Sequence, residues 1–120
     1  MKKTLVLGAS TNPNRYSHMA IKRLRAAGHQ VIAIGRSKGD VADVSISELF
    51  PIVAEDIHTI TVYLRANLQP RFYNQILGSK AKRIIFNPGT EDPALMQKFA
   101  DAKIDVLEAC TLVLLRTNQY

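Results

Sequence analysis

The fold is decided by one stretch near the beginning of the chain, TLVLGASTNPNRYS, residues 4–17. Its first four residues form a continuous apolar run that ends at Gly8 and is typical of a buried parallel strand. The residues from Gly8 to Ser17 are rich in small polar side chains and lead into a helical pattern. The stretch therefore predicts a strand, a glycine turn and a helix, which together begin a βαβ unit.

The helix is predicted over residues 17–27, where apolar side chains recur with a period near 3.6 residues. Ser17 is of the type that caps a helix at its first residue, and Gly28 is of the type that ends one. Further strands are predicted at 30–34, 44–46, 57–64, 83–86 and 104–107. Further helical segments are predicted at 47–50 as a single turn, at 70–77 before Gly78, at 91–102 with Pro93 in its first turn, and within 109–120 before a frayed tail.

This alternation of strands and helices predicts an α/β fold. Right-handed crossovers turn such units into a Rossmann-like, doubly wound parallel sheet with helices on both faces, here of five to six strands. The length of 120 residues is that of one domain, and no repeat or linker divides it, so residues 1–120 are predicted to form a single domain.

Composition narrows the class of protein. The apolar share of 47% and the charged share of 22% are those of a soluble globular protein, and no apolar run is long enough to span a bilayer. The single cysteine, Cys110, has no partner for an intramolecular disulfide and no metal-site spacing, so a cytoplasmic location is expected.

The net charge of +6 favours polyanionic or phosphorylated partners. Two basic clusters, residues 22–25 and 80–83, lack the interleaved aromatic residues that stack on bases, so nucleic-acid binding is not expected. Nothing in the sequence predicts a membrane partner, and association of identical copies stays open.

The turn at 8–17 has the composition of a phosphate-binding loop. In an open parallel sheet, ligands bind at the carboxyl ends of the strands, where the first strand borders the crevice. This turn offers backbone N–H groups, small hydroxyl and amide side chains, and Arg15 before a helix. It differs from the dinucleotide fingerprint, because Ser10 and Pro13 stand where that motif has its second and third glycines.

The segment after the second strand carries cations where an NAD site carries an acid. Gly35-Arg36-Ser37-Lys38 has no carboxylate to bond ribose hydroxyls, but its cations suit a phosphate linked to the ribose. The two loops together predict a phosphorylated nucleotide as ligand.

The remaining chemically active residues suggest no catalytic pair. His18 lies in the first helical turn, within reach of a phosphate, whereas His29 and His58 are expected to cap, pack or be solvated. Cys110 is expected to be a buried apolar side chain rather than a reactive thiol. Glu91 and Asp92 are expected to supply charge at a helix N-terminus.

Specific residues give the sequence a resemblance to a known family. They are Gly8-Ala9-Ser10, Pro13, Arg15-Tyr16-Ser17, Leu24, Gly28-His29 and Val31, followed later by Asn87, Gly89 and Cys110. This pattern resembles the small stand-alone CoA-binding domain family, which is similar in fold to the N-terminal domain of the succinyl-CoA synthetase alpha subunit. Coenzyme A carries a pyrophosphate and a 3′-phosphate, in agreement with the two loops.

The resemblance implies a set of ligand-binding residues. It implies that the pyrophosphate is held by Gly8, Ala9, Ser10, Asn12, Arg15 and Ser17. Lys38 and Arg36 would lie near the 3′-phosphate, and Arg65 would face the same crevice. The chain departs from the family at three places: Gly35-Arg36 replaces Asn-Pro, Asn87 replaces a glutamine, and Ala109 replaces an arginine.

The leading hypothesis is therefore a CoA-binding or acyl-CoA-binding protein without catalytic activity of its own. One alternative is a small NADP-dependent reductase, in which Arg36 and Ser37 recognise the 2′-phosphate. Another is an interaction module that uses only its basic surface.

Overall fold

The computed structural model describes residues 1–51 and 56–120. They form one seven-stranded sheet with helices on both faces. The strands are β1 (Thr4–Leu7), β2 (Val31–Ile34), β3 (Gly39–Val41), β4 (Val44–Ser47), β5 (Thr59–Val62), β6 (Arg83–Phe86) and β7 (Asp105–Glu108). The helices are α1 (Tyr16–Ala26), α2 (Tyr73–Ser79), α3 (Pro93–Asp101) and α4 (Thr111–Arg116), and two 3₁₀ turns, Ala66–Leu68 and Pro70–Phe72, precede α2.

The strand order is β3-β4-β2-β1-β5-β6-β7, and every neighbouring pair is parallel except β3 with β4. Without the β3 edge, this is the doubly wound order in which the chain first builds one half of the sheet outward from β1 and then the other half from β5. The predicted Rossmann-like α/β fold is confirmed. The direction of winding reverses between β1 and β5, so the crevice for a ligand lies above the carboxyl ends of these two strands.

The sheet has one strand more than the upper prediction of six. The additional strand is β3, which begins at Gly39 and pairs with β4 through a tight antiparallel hairpin around Ala42. Three residues are too few to show an apolar alternation, so this strand had no signal of its own. The expected helical turn at 47–50 is wrong as well, because Ser47 completes β4 and its Oγ accepts a hydrogen bond from the Leu49 N–H.

Two helix ends differ from the predictions. Helix α1 begins at Tyr16, so Arg15 rather than Ser17 holds the N-cap position. Helix α2 runs through Gly78 and ends at Ser79, and the C-cap residue Lys80 has a left-handed backbone (φ 58°). The end of α1 is as predicted, with Gly28 (φ +89°) directly after the C-cap residue Ala27.

The last residues do not form a frayed tail. The Tyr120 ring lies edge-on to the His29 ring, with centroids 5.0 Å apart, and the Arg83 guanidinium lies 4.5 Å from the Tyr120 ring centroid. The Tyr120 hydroxyl is 2.6 Å from the Thr4 hydroxyl. These contacts hold the end of the chain against the amino end of β1. No sequence signal indicated them, because the last residues are mostly polar and include one aromatic residue.

The sheet separates two apolar clusters. The cluster under α2 and α3 includes Leu5, Leu7, Ile60, Phe86 and Phe99, and all five are at most 1% exposed. The cluster under α1 includes Val6, Ile21, Leu24 and Ala33. Because successive strand residues point to opposite faces, Leu5 and Val6 serve different clusters, and β1 is buried on both sides as its unbroken apolar run predicts. This central strand holds the loop that follows it in a fixed position.

Candidate phosphate-binding crevice

Three chain segments meet at the carboxyl ends of the central strands. They follow β1, β2 and β5 and comprise residues 8–15, 35–38 and 63–65. All nine of the predicted site residues except Ser17 lie in these segments. The sheet order places the β1 segment between the other two.

The segments pack so closely that there is no room for a Cβ atom at Gly8 or Gly35. The Gly8 and Ala9 N–H groups both donate to the Ile34 carbonyl oxygen, each at 2.8 Å. A Cβ on Gly8, whose φ is +98°, would lie 2.9 Å from the Tyr63 carbonyl carbon. A Cβ on Gly35 would lie 2.2 Å from the Ala9 oxygen. The two glycines therefore allow three backbones to pack against each other, and the Gly8 and Ala9 N–H groups are used within the protein.

The polar part of the first segment is held by its own hydrogen bonds. Ser10 Oγ accepts from the Asn12 N–H at 3.1 Å, and Asn12 Oδ1 accepts from the Asn14 N–H at 3.0 Å. The Arg15 N–H donates to the Asn12 carbonyl at 3.0 Å, which closes the turn and starts the helix at the next residue. His18 Nδ1 donates to the Ser10 carbonyl at 3.0 Å and anchors the turn to α1. His18 thus holds the loop from beneath, a role that its position in the sequence did not indicate.

Helix α1 follows directly after the first of these segments, so its first N–H groups lie at the carboxyl edge of the sheet. The N-cap residue Arg15 makes no side-chain cap hydrogen bond, and the first turn contains no acidic residue. In the described part of the chain, the Tyr16 and Ser17 N–H groups donate to no protein acceptor. Such a helix end carries a partial positive charge and is well suited to an anion. Ser17 itself is 3% exposed, so its side chain is packed beneath the turn.

Four cationic residues lie in the three segments at this edge of the sheet. Arg15, Arg36, Lys38 and Arg65 are all exposed, and none forms an ion pair or a side-chain hydrogen bond with another residue in ranges 1–51 and 56–120. A Cβ on Gly39 would lie 2.5 Å from Thr11 Cγ2, so the segment with Arg36 and Lys38 contacts the first loop at both of its ends. The same edge carries no carboxylate in any of the three segments. Its electrostatic potential therefore favours an anionic ligand.

A buried polar network supports the crevice next to β5 and β6. Asn87 Nδ2 donates to Thr61 Oγ1 at 2.7 Å and to the Val62 carbonyl at 2.9 Å, while Asn87 Oδ1 accepts from the Thr111 N–H at 2.8 Å. The Thr61 and Thr111 hydroxyls are 2.7 Å apart. Sequence reasoning assigned no role to this network. Its signals were a threonine in the middle of an apolar strand and an asparagine directly after another strand.

Tyr63 and Cys110 lie beside this network. Burial raises the pKa of the Tyr63 hydroxyl well above its ordinary value, and this hydroxyl forms no hydrogen bond within the described residues. Cys110 is half-buried at the N-cap of α4, so it lies outside the core in which it was expected. Neither side chain has a base or an acid placed to activate it among these contacts.

The other polar residues singled out in the sequence have structural contacts. Asp92 caps α3 by accepting from the Leu95 N–H at 3.2 Å. His29 Nδ1 accepts from the Lys2 N–H at 3.0 Å, and the His58 ring is 2.8 Å from the Thr59 hydroxyl. Arg25 forms a bidentate ion pair with Asp43, and its hydrogen bond holds the pKa of that carboxyl below the usual range.

Two shallow concavities lie away from this crevice. One, of about 320 Å³, lies between α3 and β7 and includes Met96 and Val106. The other, of about 350 Å³, lies at the amino ends of the strands around His58 and Lys82. No helix in the described ranges is both long enough and apolar enough to cross a membrane.

Comparison with known proteins places these features in a family. A family model described as a CoA binding domain matches residues 2–116. A search of curated proteins found no match. The crystal structure of an uncharacterized protein has 42% sequence identity and a TM-score of 0.95, and the match covers 100% of this chain and 98% of that one.

Two more distant structures share the fold. A protein from Thermus thermophilus has 18% identity and a TM-score of 0.87, over 99% of this chain and 90% of its own. A hypothetical protein from Pyrococcus horikoshii has 19% identity and a TM-score of 0.87, over 97% of this chain and 82% of its own. At these identities the likeness concerns the fold alone.

Proposed function

This chain belongs to the CoA binding domain family, and we propose from that premise that its crevice binds coenzyme A or an acyl-CoA without catalysing a reaction. The observation that carries the proposal is the presence, on one edge of the sheet, of a helix N-terminus without a side-chain cap and of four exposed cations that have no ion pair within residues 1–51 and 56–120. Coenzyme A presents a pyrophosphate and a separate 3′-phosphate, and each needs hydrogen-bond donors and positive charge. The three segments offer both kinds of group, and none of their residues carries a carboxylate.

The pyrophosphate fits the N-terminus of α1. The free Tyr16 and Ser17 N–H groups would donate to phosphate oxygens, as would the Arg15 guanidinium. Ser10 and Asn12 keep a hydroxyl proton and an amide group for the same ligand, since their oxygens accept from the loop's own backbone. Gly8 and Ala9 would contribute shape rather than donors, because their N–H groups are bound to Ile34.

The 3′-phosphate fits the segment after β2. Arg36 and Lys38 lie in that segment, and its packing against Ala9 and Thr11 holds them beside the pyrophosphate loop. Arg65 follows β5 on the other side of Gly8 and would face the same ligand. A ligand that carries the extra phosphate should therefore bind more tightly than one that lacks it.

The absence of a paired acid and base in these segments supports binding rather than turnover. None of residues 8–17, 35–39 or 63–66 is an aspartate or glutamate, and His18 is 7% exposed and bonded to the Ser10 carbonyl. General acid–base catalysis needs a titratable group within hydrogen-bond reach of the reacting atom. We treat residues 1–120 as one binding domain in which the sheet serves as a rigid support.

The test is a calorimetric titration of the protein with CoA, dephospho-CoA and NADP in moderate salt, which screens non-specific attraction of anions. We expect CoA to bind most tightly, with dephospho-CoA weaker by about tenfold because one charge-assisted contact is lost. The variant Lys38→Ala should remove most of that difference. Lys82→Ala, at the opposite edge of the sheet, is the matched control. Tightest binding of NADP would favour a reductase, and three equal isotherms would leave only general charge attraction.

A further inference from the structure

Gln69 is a buried amide with an unusual balance of contacts. It lies between the two 3₁₀ turns after β5 and is 1% exposed. Its Nε2 donates to two backbone carbonyls, that of Leu64 at 2.8 Å and that of Thr90 at 2.7 Å. Its Oε1 is also buried and meets no hydrogen-bond donor among the described residues.

The unpaired Oε1 indicates that the Gln69 side chain acts through its Nε2. Both partners of Gln69 are carbonyl oxygens, which only accept, so the amide nitrogen must face them and the oxygen must point away. Leaving a buried acceptor unpaired is unfavourable, and a methionine or leucine of similar size would avoid that cost. An amide at this position is therefore explained by its two donated hydrogen bonds.

These two bonds connect the ligand crevice to a rigid part of the molecule. Leu64 directly precedes Arg65, and its nitrogen lies 3.0 Å from the place where a Cβ on Gly8 would be. Thr90 belongs to the turn after β6, where its hydroxyl donates to the Asn87 carbonyl at 2.7 Å. Asn87 is itself fixed by the buried network described above. The Leu64 segment is thus held between Gly8 on one side and the Gln69 amide on the other.

We propose that Gln69 is a positioning residue for the ligand crevice, because it holds the backbone before Arg65 and so directs that guanidinium toward the bound phosphates. This inference rests on the proposed function, since it assumes that Arg65 contacts the ligand. Gln69 does not itself touch the ligand, because both ends of its amide are sealed from solvent. Its effect on binding is exerted through Arg65.

A double-mutant cycle separates this role from a general contribution to folding. The variants are Gln69→Met, Arg65→Ala and the double substitution, with Gln75→Met on the exposed face of α2 as the matched control. CoA affinity is measured by calorimetry, and thermal unfolding of each variant is followed by circular dichroism. We expect each single variant to weaken CoA binding by about tenfold and the double variant to do no worse than Arg65→Ala, since coupled sites are not additive. Gln75→Met should bind as the unsubstituted protein does.

The outcomes distinguish the inference from the proposed function. If the unsubstituted protein fails to bind CoA, the proposed function fails. If it binds, and folded Gln69→Met binds equally well, or the double variant loses about a hundredfold as two independent sites would, the positioning role is wrong. Should Gln69→Met not fold, Gln69→Asn keeps an amide that is one methylene shorter and reaches at most one carbonyl. An affinity loss that Arg65→Ala abolishes would support the role, and an unchanged affinity would overturn it.

Discussion

Helices α1 and α3 both begin near the carboxyl edge of the sheet, but they differ in whether a side chain caps the N-terminus. Asp92 caps α3 with its own carboxylate, and Pro93 follows at the first helical position. Helix α1 begins behind a cation, Arg15, with no side-chain cap and no acid in its first turn. The chain therefore caps one helix end by itself, whereas in the proposed function the other end receives an external anion.

This difference is the structural basis for placing the proposed ligand site at α1 rather than at α3. An N-cap acceptor contributes about 1 kcal/mol to stability, and serine, aspartate and asparagine supply it at little cost. The first loop is rich in such residues, but Ser10 and Asn12 bond to the loop itself rather than to the helix. The unsatisfied end of α1 lies beside the switch point between β1 and β5, whereas the capped end of α3 lies farther along the sheet. We therefore expect substitutions at the two helix N-termini to have opposite effects on stability.

The largest effect should come from disturbing the packing that holds the α1 loop in place. Gly35→Ala puts a Cβ 2.2 Å from the Ala9 oxygen, a backbone atom that cannot move aside. We expect the free energy of unfolding to fall by about 2–3 kcal/mol and CoA affinity to fall at least tenfold. Gly78→Ala is the control, since nothing lies within 4 Å of its added Cβ and alanine favours a helix. Urea denaturation of both variants tests this, and equal stability of the two would contradict the close packing.

A side-chain cap on α1 should raise the stability of the protein and lower its affinity for CoA. Arg15→Asp places an acceptor at the N-cap, so we expect stability to rise by about 1 kcal/mol. The same change removes a cation and sets a carboxylate against the incoming phosphate, so CoA affinity should fall by about 2 kcal/mol, or some thirtyfold. Thermal unfolding and calorimetry measure the two effects. Unchanged CoA affinity would show that this helix end does not hold the ligand.

Removing the cap of α3 should have the reverse profile. Asp92→Ala deletes the acceptor for the Leu95 N–H, so the protein should lose about 1 kcal/mol of stability. CoA affinity should stay within about twofold, because this helix end serves no ligand in the account. A large loss of affinity in a folded Asp92→Ala protein would move the binding site toward α3.

The smallest effect concerns the amino edge of the sheet, opposite both helix ends. Burial lowers the pKa of His29 and of His58 below the ordinary value, with the neighbouring cations Lys2 and Arg83 adding to the shift. The neutral forms are therefore favoured in the folded state. Stability should be fully present above about pH 7 and should decline as pH falls through about 6.5, where the unfolded histidines take up protons. Below the lowered pKa values the decline should level off.

Denaturant titrations at pH 7.5 and 5.5 measure this slope. The double variant His29→Gln, His58→Gln should flatten it, although carboxylates elsewhere keep their own dependence at lower pH. An unchanged slope in that variant would assign the decline to other groups. The opposite effects expected for Arg15→Asp and Asp92→Ala on stability should be the same at both pH values.

The sequence predicted the architecture because its strands are buried apolar runs separated by glycines. The run before Gly8, and the alternation of strand and helix after it, led to the confirmed Rossmann-like fold. Strand β3 and the 3₁₀ turn Ala66–Leu68 were missed, since each is too short to give a periodic signal. The helix predicted at 70–77 is present, but its first turn is 3₁₀ and it extends to Ser79. The contacts of Tyr120 are made with Thr4, His29 and Arg83, which are distant in the sequence and leave no local pattern.

The crevice was predictable only in part for a related reason. Glycines, small polar residues and cations in consecutive positions indicated two of its three segments, and the proximity of these segments followed from sheet order. That Gly8 and Ala9 use their N–H groups on Ile34 depends on a contact between two strands. That His18 supports the loop depends on how the loop folds back onto α1. The amides of Asn87 and Gln69 act through distant carbonyls. The assignment of ligand contacts to individual residues remains a prediction.

A two-dimensional ¹H–¹⁵N NMR titration with CoA would test ligand binding at the N-terminus of α1, because every backbone amide reports separately. The account predicts that the amide signals of Tyr16 and Ser17 move most, because phosphate oxygens become their hydrogen-bond acceptors. The amide signal of Leu95, already bonded to Asp92, should stay in place. Large shifts at Leu95 with none at Tyr16 and Ser17 would contradict the account.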